Sequence, residues 1–244
     1  MQYLKISSVF NNLLSSNRVN STMEKKATSK SSKTKINDSE KLQNAYVEYV
    51  LEHGSRPASI FKFVKEQKLK EEAFYEYFNS FDTLEKELWK SWLMQTVATI
   101  QADEVYEQYS AREKLLAFYF TFIELLKQNR SFILQTVMKN SKPEFTPTYL
   151  KEFRKSFKDF VNEILLEAKE TDEVQNRPYI SDKYDEAIWL QFLFVMNFWM
   201  KDESKNFEKT DEAIEKAVNL SFDLMGRGPL DAMIDFGKFL FQNR

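Results

Sequence analysis

The run Ala187–Met200, AIWLQFLFVMNFWM, constrains the fold more than any other stretch. At helical periodicity its apolar side chains point in nearly every direction, so a helix here needs cover on nearly all sides. Gln191 and Asn197 interrupt it, and it falls short of the roughly 18 apolar residues that a membrane span takes. It therefore reads as a helix covered on one side by the domain interior and on the other by a second subunit, and its neighbours read as helices too. Only 4 Gly and 5 Pro occur in 244 residues, and β-branched runs are scarce. The expected fold class is all-α, with about nine or ten helices and no strand.

The helical patterns divide the chain into three parts. Residues 1–37 are polar and rich in Ser, Asn and Lys, and are expected to form a disordered basic tail. Lys25, Lys26, Lys30, Lys33 and Lys35 give this arm its charge, and Met23 reads as an alternative start that would make residues 1–22 an extension. Residues 38–80 hold an amphipathic helical pattern and then two short ones. The first should start near Asp38 or Ser39, carry Leu42, Tyr46 and Val50, and stop at Gly54, a glycine cap. Ser59 can cap the second, with Ile60, Phe63 and Val64. Lys70 opens the third, which should carry Phe74, Tyr75, Tyr77 and Phe78. Two short helices about a turn apart, preceded by an amphipathic one, outline a helix-turn-helix.

The remainder, 81–244, reads as a larger helical domain. A fourth helix should begin near Asp82 and run to about Val105, and Ser110 with Glu113 forms a capping box for the next. A short segment follows at Ser131–Met138. Pro143 and Pro147 mark a loop, with Pro147 in the first turn of a helix through Ala168. Ser181 and Thr210 are expected to cap the next two helices, Gly226 to end the second, and Gly228-Pro229 to open the last.

The residues at 74–84, Phe74-Tyr75-Glu76-Tyr77-Phe78 followed by Asn79-Ser80 and Leu84, resemble the LYxYF…SKxxL signature of the TetR-type repressors. The resemblance covers about residues 41–92 and implies a TetR-like architecture: an N-terminal three-helix DNA-reading unit joined through the fourth helix to a C-terminal ligand-binding and dimerisation domain. It implies that Ser59, Tyr75 and Tyr77 touch phosphate, with Lys62 and Lys70 as nearby basic groups. Three positions depart from the family pattern. Lys68 stands where the family has the Gly of the tight turn, Phe81 stands where it has a phosphate-contacting Lys, and Glu71, Glu72 and Glu76 load the reading helix with negative charge. Across residues 41–92, 8 Lys/Arg face 9 Asp/Glu, whereas a DNA-reading unit usually has a basic face. Weak, salt-sensitive DNA binding that depends on the arm is expected.

Beyond the resemblance, 22 Phe and 11 Tyr supply more ring surface than most chains of this length carry. Such a chain has either a bulky core or a roomy apolar pocket. The pocket expectation names Trp92, Phe118, Phe122, Phe153, Phe157 and Phe192, with a small apolar molecule or lipid as ligand. A homodimer is expected on the helices at 182–201 and 210–226, with Trp189, Trp199 and Phe222 at the interface.

Enzyme chemistry finds little support. The single His, His53, falls at a helix C-terminus, where a cation suits the helix dipole. There is no Gly-rich phosphate loop and no nucleophile–His motif. With no Cys, thiol catalysis, disulfides and Cys-based zinc sites are excluded, and the protein is expected in a reducing cytoplasm without cofactor or metal. Net charge is −2, so overall balance gives no general affinity for nucleic acid. The expected function is a ligand-responsive TetR-type transcriptional regulator with a weakened DNA-reading helix. The alternative is a TetR-type fold that binds a lipid or other apolar molecule without reading DNA specifically.

Overall fold

The computed structural model describes residues 30–137, 146–178 and 180–242, which contain ten α-helices and no strand. The long helix α1 (Lys30–His53) comes first, followed by two short helices, α2 (Ile60–Glu66) and α3 (Glu71–Tyr75). Then follow α4 (Phe81–Gln101), α5 (Ala111–Gln128), α6 (Arg130–Val137), α7 (Lys151–Glu170), α8 (Tyr184–Lys201), α9 (Glu208–Met225) and α10 (Pro229–Gln242). The chain divides within α1, after Glu40, and residues Lys41–Arg244 form one compact unit.

Several boundaries follow local rules. Gly54 ends α1 with φ 71°, its N–H donating to the Val50 carbonyl at 2.9 Å. The Ser59 hydroxyl accepts from the Lys62 N–H, and the Ser80 hydroxyl accepts from the Thr83 N–H, capping α2 and α4. Ser110 and Glu113 close both halves of a capping box on α5. Gly226 terminates α9.

Others correct the expectation. Helix α1 starts at Lys30 rather than near Asp38, so the last part of the expected disordered tail is helical, while residues 1–29 lie outside the described residues. No Gly or Pro lies between Glu24 and His53, so a helix anchored by Leu42, Tyr46 and Val50 can propagate backwards through Ser, Thr and Lys. The loop expected at Pro143 also lies outside the described residues. Thr210 and Ser181 do not cap by themselves. The buried Asp202 carboxylate accepts from the Thr210 N–H at 2.9 Å and hydroxyl at 2.6 Å, and from the Ser204 N–H at 2.8 Å, so the cap of α9 comes from the end of α8. Ser181 lies in a 3-10 turn before α8, its hydroxyl accepting from the Arg177 N–H.

The core is aromatic. Helix α4 packs on α5 and α7, α7 and α9 pack on α8, and α9 closes onto α5. Trp189 and Trp199 are fully buried within the bundle. The turn between α8 and α9 is held from outside. The Arg130 guanidinium lies 4.8 Å from the Trp199 ring and 4.6 Å from the Phe207 ring, and donates to the carbonyls of Trp199, Met200 and Asp202. That support coincides with two left-handed residues, Asn206 at φ 54° and Phe207 at φ 62°.

Candidate nucleic-acid interface

The three N-terminal helices meet around Phe63 and Phe74. Phe63, Phe74 and Phe78 are buried, and edge-on ring contacts join Phe63 to Tyr46, Phe74 and Phe81 at 6.2, 6.3 and 5.7 Å. Helices as short as α2 and α3 have little stability of their own, so this ring cluster positions them. The turn from α2 to α3 is tight: the Leu69 N–H donates to the Val64 carbonyl at 2.8 Å, and Lys68 takes φ 57°. A left-handed residue is what Gly supplies elsewhere, so the turn keeps its geometry although Lys68 has a Cβ.

Helix α3 is shorter than its sequence pattern suggests. It ends at Tyr75, and Tyr77 and Phe78 fall in the following turn, where both N–H groups donate to the Phe74 carbonyl. The chain bends because the rings of Phe78 and Phe81 must both reach Phe74, at 5.7 and 5.6 Å. Tyr77 is consequently half-buried against the core, whereas Tyr75 is 49% exposed. The Tyr75 hydroxyl donates to the Glu71 carboxylate at 3.3 Å, and its pKa is raised by partial desolvation and by that carboxylate. Ser59 and Lys62 share the first turn of α2, and Lys70 precedes α3, all three exposed. Glu72 and Glu76 are exposed on the same short unit. Of the five residues expected at DNA, four are available at the surface, and Tyr77 is the one drawn inward.

A polar cluster that the sequence does not announce fixes the unit to α4. Glu85 is only 7% exposed and accepts from the Tyr46 hydroxyl. Arg56, in the loop between α1 and α2, donates from Nε to Glu85 at 2.9 Å, forks a second bond to the same carboxylate, and reaches Asp82 at 2.7 Å. Burial, then the Glu85 charge, push the Tyr46 pKa up, so Tyr46 remains a neutral donor. Burial alone lowers the pKa of Arg56, but the bonds and charge of Glu85 outweigh it and raise it. Arg56 is thus committed to holding the fold and is not a free phosphate contact. The one hint in the sequence is Glu85 itself, an acid adjoining the apolar line Leu84–Leu88.

The expected ligand-site rings lie together but in contact. Phe153 and Phe192 are 4.7 Å apart, Phe157 and Phe192 5.0 Å, Phe122 and Phe153 5.4 Å, and Phe118 and Phe122 5.5 Å. Trp92 is set apart, against Trp89 and Phe132. Five of the six side chains expected among the lining of a cavity, Phe118, Phe122, Phe153, Phe157 and Phe192, are buried and in ring contact with one another. A cleft of about 410 Å³ opens toward solvent among Thr146, Lys151, Arg154, Lys155, Lys158 and Glu186, where Arg154 and Lys158 hold Glu186 at 2.6 and 2.7 Å. The interface residues are corrected. Trp189, Trp199 and Phe222 are all inside their own subunit, because a ring facing the bundle axis cannot also face a second copy. The exposed apolar side chains of these helices are Leu190 and Phe194 on α8 and Leu220 and Leu224 on α9.

Among the described residues no helix is long and apolar enough to cross a membrane, and no cluster of His, Asp and Glu has the form of a metal site. Residues 114–240, slightly more than half of the chain, match the model of the tetracyclin repressor-like C-terminal domain. No curated protein and no solved structure matches the chain. The matched stretch begins after α4, so it is independent of the residues at 41–92 that carry the N-terminal resemblance.

Proposed function

Since the chain belongs to the tetracyclin repressor-like family, we propose that it is a cytoplasmic, homodimeric transcriptional regulator whose DNA-reading unit binds weakly and answers to a small apolar ligand or lipid. In this reading residues 38–80 approach DNA and residues 81–244 bind the ligand and the second subunit. The observation that carries it is the α2–α3 turn. Its left-handed Lys68 joins the two short helices through a tight turn, with Ser59, Lys62, Lys70 and Tyr75 exposed, as a helix-turn-helix reading needs. Weak affinity follows from charge: Arg56 is engaged by Glu85 and Asp82, while Glu72 and Glu76 remain at the surface. Phosphate neutralisation supplies much of DNA affinity, so balanced charge leaves little of it.

An apolar ligand would have to separate rings now in contact, among them Phe153, Phe157 and Phe192. Opening of that cluster would be felt along α4, which packs on α5 and α7 and carries the Glu85 anchor of the N-terminal unit. The dimer would use the exposed strip of Leu190, Phe194, Leu220 and Leu224. Gln191 donates to Ser221 at 3.1 Å, which sets the α8 and α9 parts of this strip side by side.

The test is selection from a random DNA pool, with and without residues 1–37. A palindromic motif recovered by the shortened protein supports regulation through α2 and α3. Loss of all binding with the arm removed refutes specific reading and leaves the apolar-ligand protein without operator recognition.

A further inference from the structure

Four cations share one face of α7. Lys151, Arg154, Lys155 and Lys158 follow the i, i+3, i+4, i+7 spacing, away from the buried line of Phe153, Phe157 and Phe160. With Thr146 and Glu186 they line the cleft of about 410 Å³. Three of the four lie in the first two turns of a 20-residue helix, where the helix dipole disfavours positive charge. The carboxylates that meet them come from α8 and engage only part of the set. Arg154 donates to Glu186 at 2.6 Å, and Lys158 pairs with Glu186 at 2.7 Å and with Asp185 at 2.9 Å. Arg154 and Lys158 are thereby fixed in the wall of the cleft, 28% and 26% exposed. Lys151 and Lys155 are exposed and, among the described residues, have no carboxylate partner. The Arg154 guanidinium also lies over the Trp189 ring at 5.6 Å. There its Nε and the Trp189 Nε1 are both buried without an acceptor among the described residues.

We propose that this cleft binds the phosphate group of a small molecule, with Lys151, Arg154 and Lys155 as its contacts and Lys158, held by Asp185 and Glu186, as part of the wall. Charge selects the group. Four cations face two carboxylates, so the cleft keeps a net charge of +2, which a phosphate monoester of about −1.5 to −2 at pH 7 matches and a single carboxylate does not. The donors select it as well. A guanidinium presents five N–H groups in a planar fork suited to phosphate, and the unpartnered Nε means that Glu186 does not exhaust this one. Shape selects a small molecule. The cleft falls within the roughly 300–1,000 Å³ of small-molecule sites, and Arg154 and Lys158 are recessed rather than protruding toward a polymer. An anion held here also offsets the unfavourable placement of cations at the start of α7. The site is separate from the ring cluster and stands whether or not the apolar-ligand reading holds.

Equilibrium dialysis of the full chain at low salt, with radiolabelled glycerol 3-phosphate and separately with radiolabelled dihexanoyl phosphatidic acid, tests this directly. Saturable binding of both probes assigns the group to a free phosphorylated molecule, and binding of phosphatidic acid alone assigns it to a lipid headgroup. Either result supports the inference, and acetate at equal concentration should displace neither probe. Lys151→Gln with Lys155→Gln, both exposed and so tolerated by the fold, should raise the dissociation constant about tenfold or more. Lys205→Gln with Lys209→Gln, an equal change of charge at exposed positions elsewhere, should leave it unchanged. Equal weakening by the two pairs means that net charge alone draws the anion, and overturns the inference. So does displacement by acetate, or the absence of saturable binding of either probe at about 1 mM. If the Lys151 and Lys155 pair keeps its phosphate binding but loses affinity for random duplex DNA, the cations belong to a DNA contact and the inference is likewise overturned.

Discussion

The N-terminal unit and the C-terminal bundle are both organised around rings, but different forces hold them in place. In the bundle, α5, α7, α8 and α9 are 18 to 20 residues long, and their buried faces are continuous apolar lines. In the N-terminal unit α2 and α3 have 7 and 5 residues, and a salt-bridged cluster at Arg56, Tyr46 and Glu85 completes what one ring cluster begins. Length and apolar area make the first region cooperative. The second depends on a few polar contacts to α4, and regions of that kind open at lower free energy than the core.

The largest blow to the bundle should come from Phe192→Ala. Phe192 contacts the rings of Phe153, Phe157 and Trp189, and removing it should cost about 3–5 kcal/mol. Urea unfolding followed by far-UV and tryptophan signals should shift in both together, and separation of the two signals would break the claim of a cooperative bundle. Asp202→Ala removes the cap of α9 from a buried site and should cost about 2 kcal/mol by the same measurement. It also carries a pH signature. Burial raises the carboxyl pKa, but the bonds from Ser204 and Thr210 outweigh it and hold it well below the usual range. A depressed carboxyl stabilises fully above its unfolded pKa of about 3.9 and loses that contribution as pH falls further. Between pH 7 and pH 3 the parent protein should therefore lose more stability than Asp202→Ala.

Arg56→Ala leaves Glu85 buried with only Tyr46. Because Arg56 is itself 45% exposed, the cost should be about 1–2 kcal/mol. Hydrogen exchange should quicken in α2 and α3 and remain unchanged in α5, α8 and α9. Equal quickening everywhere would show the two regions to be one cooperative unit. The smallest effect sharpens the comparison from the other side. Lys68→Gly relieves a left-handed residue and should stabilise by about 0.5–1 kcal/mol, net of the greater freedom of Gly in the unfolded chain. It should slow exchange in α2 and α3 only.

What the sequence by itself determined is periodic or local. The all-helical class follows from apolar spacing and scarce Gly and Pro. The Ser59 and Ser110 caps and the Gly54 and Gly226 ends follow from rules that act within a turn. The helix-turn-helix outline was legible for the same reason. Tertiary structure decided whatever depends on residues far apart in the chain. It turned Tyr77 inward, because Phe78 and Phe81 both pack on Phe74. It withdrew Arg56 from the basic surface, because Glu85, 29 residues on, is buried beneath it. It made a core of Phe118, Phe122, Phe153, Phe157 and Phe192, since ring count cannot distinguish stacked rings from rings around a cavity. It also moved the apolar surface from Trp189 and Trp199 to Leu190 and Phe194, because a helix apolar on all sides does not reveal which side its own neighbours will cover.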